Sequence, residues 1–186
     1  MLRLEAFPFS EVTKIRLNQL YPDFCLRVAS VLNEMYKTTN YRMGVAESVR
    51  TFEKQKQLYA KGRSAPGPVV TNAKPGYSFH AYGLAADCAF LGTDPFLESL
   101  RASDSKQASF LWSEYGRIAK QFGLVWGGDF RLKNGSSDSP HIECSYGFRI
   151  DECLQLYKTG GVRNVWHEIN KQLGVSDDAG KTDPNS

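Results

Sequence analysis

The chain has 186 residues, 41% of them hydrophobic and 12% aromatic, enough for one globular domain with a sizeable core. Its net charge of +3 is mild and its lysines and arginines are scattered, which excludes a nucleic-acid footprint. No apolar run approaches the roughly 20 residues needed to span a bilayer.

The opening stretch "MLRLEAFPFSEV" lacks the apolar centre of a signal peptide and brings Glu5 and Pro8 too early, so the expectation is a protein made in the cytoplasm. Ser10 is a natural N-cap for a first helix, "SEVTKIRLNQL", with Val12 and Ile15 at helical spacing. A second helix is expected from Pro22 to about Lys37, because Phe24, Val28, Val31, Leu32 and Met35 recur at steps of three and four. "YRMGVAESV" reads as a strand. Thr51 can cap a third helix, "FEKQKQLYAKG", which Gly62 closes. The run "RSAPGPVVTNAKPGYS" holds three prolines and is a loop long enough to suspect a function.

"LAADCAF" reads as a short strand, followed by a helix over roughly Lys106 to Phe122 that Gly123 stops. "LVWGGDF" is expected to be a strand ending in a glycine turn, and "PHIECSY" another strand. Two short helices should follow, near Arg149–Tyr157 and Val162–Leu173. Helices and strands mix without regular βαβ alternation. The expected fold is therefore a single α+β domain over residues 1–174, with a small, mostly antiparallel sheet flanked by helices. Residues 175–186 read as a polar, disordered tail. The four cysteines, Cys25, Cys88, Cys144 and Cys153, form no CxxC pair and match no zinc-finger spacing. They are expected to be reduced, buried, small apolar residues.

The chemistry concentrates around two of the three histidines. In "GYSFHAYGLAADCAF", His80 precedes Asp87 by seven residues. Two ligands of one zinc ion lie roughly 3 Å apart. Seven residues of helix would separate the two backbones by about 10 Å, and a straight strand by more than about 20 Å. Joint ligation therefore needs a reversal, which Gly83 can supply through a positive φ. The competing reading of this segment is a satisfied core histidine beside a strand-edge aspartate. In "SSDSPHIEC", Pro140 disfavours helix at Ser139, so His141 begins an extended run with Glu143 on the same side and Asp138 just before it on a loop. The third histidine, His167, sits on an expected helix and reads as surface or packing. Two histidines and an aspartate would be three ligands with a fourth position open, the composition of a catalytic rather than a structural zinc site. A metal there acidifies water, and a nearby carboxylate takes the proton.

"SFHAYGLAAD" followed by "DSPHIE" resembles the SxHxxGxAxD … (D/E)xxH signature of the zinc D-Ala-D-Ala carboxypeptidase and phage L-alanyl-D-glutamate endopeptidase family. "ESVRTFEKQKQLYAKGR" is similar to a segment of endolysins in this group, and "FGLVWGGDF" to their GxxWGGDW. The likeness runs from about Leu17 to Tyr146. It implies a hedgehog and D-Ala-D-Ala-peptidase type of fold, one Zn2+ per chain held by His80, Asp87 and His141, and Asp138 as general base. It also implies that Arg50 is a cleft guanidinium acting on substrate or the developing oxyanion, and it matches Ser78 to the leading serine, a substrate contact. Glu143, which shares a strand face with His141, is the rival base; its expected role is to orient a ligand from behind. One departure is Thr51, where the endolysins often carry Ser.

The resulting expectation is a monomeric zinc endopeptidase that cuts peptidoglycan stem peptides between L-Ala and D-Glu, without nucleic-acid or membrane-spanning contacts. It would be made in a host cytoplasm and reach the wall through a holin-type pore. The alternatives are a D-Ala-D-Ala carboxypeptidase, whose relatives usually carry a signal or anchor, and a zinc-binding module without activity, which would have no reason to keep Asp138.

Overall fold

The structure is a computed structural model that describes residues 8–131 and 137–176. The tail expected from residue 175 lies, from 177 onward, outside the described residues. Helix α1 (Glu11–Asn18) starts at Ser10, whose hydroxyl accepts from the Thr13 amide. Its inward face is not the one expected: Val12 and Ile15 are 54% and 60% exposed, while Thr13 and Leu17 are buried. The helix is short, and its docking against strand β1 (Met43–Glu47) selects the stripe of Thr13 and Leu17. Helix α2 (Pro22–Thr39) buries the five expected residues and ends on a left-handed Asn40.

Thr51 caps α3 (Phe52–Ala60) through a bond from the Lys54 amide. Strand β2 (Ala85–Phe90) follows the long loop. A six-residue helix, α4 (Glu98–Ser103), had no counterpart in the sequence reading. None of its residues is buried, so it leaves no apolar period, and its amides are held by Asp94, which accepts from Glu98 and Leu100 at 2.8 and 2.9 Å. Helix α5 (Ser105–Gln121) matches its expectation closely. Strand β3 is only Val125–Trp126 and gives way to a 3-10 turn at Gly127–Asp129; β4 is only His141–Glu143. The two expected C-terminal helices are both present within α6 (Ile150–Leu173), separated by non-helical backbone at Gly160 and Gly161.

The four strands lie in the order β1-β2-β4-β3, and every pairing is antiparallel. One face, carrying Val45, Ala86, Cys88 and Ile142, joins the core built with α2 and α5. Asp87 and His141 pair across β2 and β4 and so share the opposite face. No helix among the described residues is long and apolar enough to cross a membrane.

Candidate functional site

His80 stands in a short 3-10 turn, Phe79–Tyr82, that ends on Gly83 at φ 68°. The left-handed glycine turns the chain back into β2, as the spacing required. The turn is tied to the segment after β1: the Arg50 amide donates to the His80 carbonyl at 3.2 Å. The His80 ring, 2% exposed, lies with Nδ1 at 2.7 Å from the Ser48 carbonyl. A carbonyl only accepts, so Nδ1 carries the proton and Nε2 keeps its lone pair. That Nε2 lies 3.3 Å from Asp87 Oδ1.

His141 opens β4, and its Nδ1 lies 3.0 Å from the same Asp87 Oδ1. Its other nitrogen, Nε2, lies 2.9 Å from Glu143 Oε2. One carboxylate oxygen therefore sits between two imidazole nitrogens. Donor atoms of His80, Asp87 and His141 all lie within 4.8 Å of one another and could hold a metal ion. Two neutral-capable nitrogens and one carboxylate oxygen suit zinc, whose ligands are about 2 Å from the ion. The bond from Nε2 of His141 to Glu143 is the outer carboxylate support usual behind a ligating histidine.

The electrostatics agree with a site built for a cation. Burial alone would raise the Asp87 carboxyl, but the bond from His141 and the nearness of the His80 and His141 rings outweigh it and hold it well below the usual carboxylate range. Burial opposes charge on His141, yet Asp87 and Glu143 push its imidazole up to about 10 in the metal-free protein. Loss of solvent in the cleft, followed by the Asp87 charge, pushes the Asp138 carboxyl up; the histidines and Arg50 pull the other way. A cation on the neighbouring ligands would add to that downward pull.

Asp138 is placed by its backbone. Its amide donates to the Gly127 carbonyl at 2.9 Å and its carbonyl accepts from the His141 amide at 3.1 Å. Among the described residues no hydrogen bond or ion pair holds its carboxylate. Arg50 also reaches the site. Its Nη2 bonds Glu47 Oε2 and lies 3.2 Å from Asp87 Oδ2, and its Nη1 donates to Gln55 Oε1 at 3.0 Å. Ser78 begins the 3-10 turn, half-buried, with its hydroxyl unbonded among the described residues. His167 is exposed on α6.

The sequence reading passed over Glu47, Gln55 and Gly127. Gln55 is a buried amide inside an amphipathic helix, and its Nε2 donates to the Ala73 carbonyl at 2.7 Å, anchoring the long loop. That buried position was not visible from periodicity. Gly127 was visible only as part of a turn. All four cysteines are free; Cys25, Cys88 and Cys153 are buried and Cys144 is half-buried.

Known proteins resemble this chain over the segment that carries the site. Residues 71–144, which include both histidines and both aspartates, match the model of a family described as D-alanyl-D-alanine carboxypeptidase. The resemblance read from the signature motifs holds over that segment. In particular, the chain is 36% identical over 100 residues to the peptidoglycan L-alanyl-D-glutamate endopeptidase CwlK of Bacillus subtilis strain 168. That alignment takes in 53% of this chain and 58% of the relative, so the chain spans little more than half of that protein's length. The LdcB LD-carboxypeptidase shares the fold, with a TM-score of 0.52 at 14% identity over 87% of this chain and 73% of that one. The L-Ala D-Glu endopeptidase ChiX of Serratia marcescens superposes with a TM-score of 0.47 at 16% identity over 74% and 90% of the two chains.

Proposed function

We propose that the protein is a zinc peptidase that hydrolyses peptidoglycan stem peptides, cutting between L-Ala and D-Glu. The observation that carries this reading is the division of labour among the carboxylates. Asp87 Oδ1 lies between His80 Nε2 and His141 Nδ1, Glu143 is engaged by His141 Nε2, and Asp138 stands beside them with no hydrogen-bond or ion-pair partner for its carboxylate among the described residues. A carboxylate with no partner beside a cation site is what a general base needs. An inactive binding module would gain nothing from it.

Zinc held by His80, Asp87 and His141 would supply Lewis acidity, acidifying water and polarising the scissile carbonyl. The chain's own residues do the rest. Asp138 accepts a proton from the attacking water and returns it to the departing amine, so the peptide C–N bond breaks as a carboxylate and an amine form. Glu143 and the Ser48 carbonyl hold the outer nitrogens of the two imidazoles, fixing their tautomers and ring directions. Arg50 places positive charge beside Asp87, where it can steady substrate oxygens, and Ser78 borders the same turn as His80.

The choice of bond follows the endopeptidase relative; the family description supports a D-Ala-D-Ala carboxypeptidase as the second reading. A lytic role of phage type, as a monomer reaching the wall through a membrane pore, rests on the likeness of "ESVRTFEKQKQLYAKGR" and "FGLVWGGDF" to endolysin segments. Digestion of purified peptidoglycan followed by mass spectrometry tests the proposal. New N-terminal D-Glu, lost with chelator and restored by zinc, is the expected result. Released D-Ala would shift the assignment to the carboxypeptidase, and no cleavage by zinc-loaded protein would end it.

A further inference from the structure

The pairing of β1 with β2 is regular from Met43 to Val45 and then slips by one residue. Val45 pairs with Cys88, but Glu47 pairs with Asp87, leaving Ala46 as a bulge. Without the bulge, alternation would set Ala46 against Asp87 and turn Glu47 to the core face with Val45. With it, Glu47, Asp87 and His141 stand in one row across three strands, on the site face. The extra residue thus aims a glutamate at the cleft.

What Glu47 meets there is Arg50. The guanidinium Nη2 is shared between Glu47 Oε2 and Asp87 Oδ2, while Nη1 goes to Gln55. The two oxygens of Asp87 are thereby divided: Oδ1 faces both histidines and Oδ2 faces Arg50. An arginine fork left to itself can take both oxygens of one carboxylate. That would draw Oδ1 away from the histidines and leave an unbalanced positive charge beside a cation site.

We propose that Glu47 is a positioning residue: it holds Arg50 so that the guanidinium engages only Oδ2 and leaves Oδ1 of Asp87 free for the metal. The inference rests on the metal reading above and extends it to a residue outside the ligand set. Partners behind a ligand typically matter 10–100-fold in affinity or activity.

The test is zinc affinity, measured by competition with a chromophoric chelator in a double-mutant cycle. Glu47→Ala should weaken zinc binding by about 10–100-fold. In an Arg50→Ala background the same change should cost less than about threefold, because the residue acts through the arginine. Glu47→Gln keeps the volume and removes the charge that holds Arg50, so it should follow the same pattern and serves if the alanine variant unfolds. Unaltered affinity in the single variants, or an equal loss in both backgrounds, overturns the proposal. Wild-type protein that binds zinc but leaves peptidoglycan intact would refute the peptidase reading alone. Wild-type protein that binds no zinc would refute both.

Discussion

Replacing Gly127 with alanine probes how tightly Asp138, the proposed base, is held. Gly127 is buried at the start of its 3-10 turn, and its carbonyl receives the Asp138 amide. A Cβ built there would collide with the Asp138 carbonyl oxygen and lie 2.8 Å from His141 Cβ and 3.1 Å from Asp138 Cβ. Ordinary contact begins at 3.4 Å, so His141 must retreat by about 0.6 Å and the Asp138 backbone by more. Overpacking of this kind costs about 1–3 kcal/mol of stability. A displacement of about 1 Å at reacting groups can cost about 100-fold in rate. Gly127→Ala should therefore lower kcat on purified cell walls by roughly 10–100-fold, with weaker zinc binding because His141 moves as well. Turbidity clearance, zinc content and thermal melting on the same samples separate the effects. A folded, zinc-loaded Gly127→Ala protein with unchanged kcat would refute the argument that this glycine sets the position of Asp138.

Asp138→Asn should lose about 10²–10⁴-fold in turnover while keeping its zinc, since the amide cannot accept the proton. Glu143→Gln should lose less, about 10–100-fold, because it removes only the charge behind His141; if it is the less active of the two with zinc bound, the roles are reversed. Arg50→Lys should lower turnover strongly, because one ammonium cannot reach Gln55, Glu47 and Asp87 together as the fork does; lysis at the wild-type rate would remove Arg50 from the site. Burial pushes the thiols of Cys25, Cys88 and Cys153 up to about 12. Above pH 8 the native protein should therefore expose at most Cys144 to a thiol reagent, and all four cysteines should titrate after denaturation. Rapid native labelling of all four would contradict the packing.

The sequence alone determined what depends on near neighbours. The stripe of Phe24, Val28, Val31, Leu32 and Met35 specified α2, because 3.6-residue periodicity is local. Ser10 and Thr51 announced two helix starts, since a cap needs only its own amides. The spacing of His80, Gly83 and Asp87 demanded a reversal, and the left-handed glycine provides it. Tertiary structure decided what depends on docking. Local spacing favoured Val12 and Ile15, but packing against β1 chose Thr13 and Leu17. A one-residue bulge at Ala46 decided which face Glu47 joins, and neither propensity nor pattern marks where a strand will slip. Arg50 could be placed near the cleft from its motif, but its sharing between Glu47 and Asp87 arises from three segments meeting. The motif likewise singled out Asp138. That its carboxylate stands unbonded among the described residues while Glu143 is taken by His141 is a matter of side-chain geometry around β4, which no linear pattern encodes.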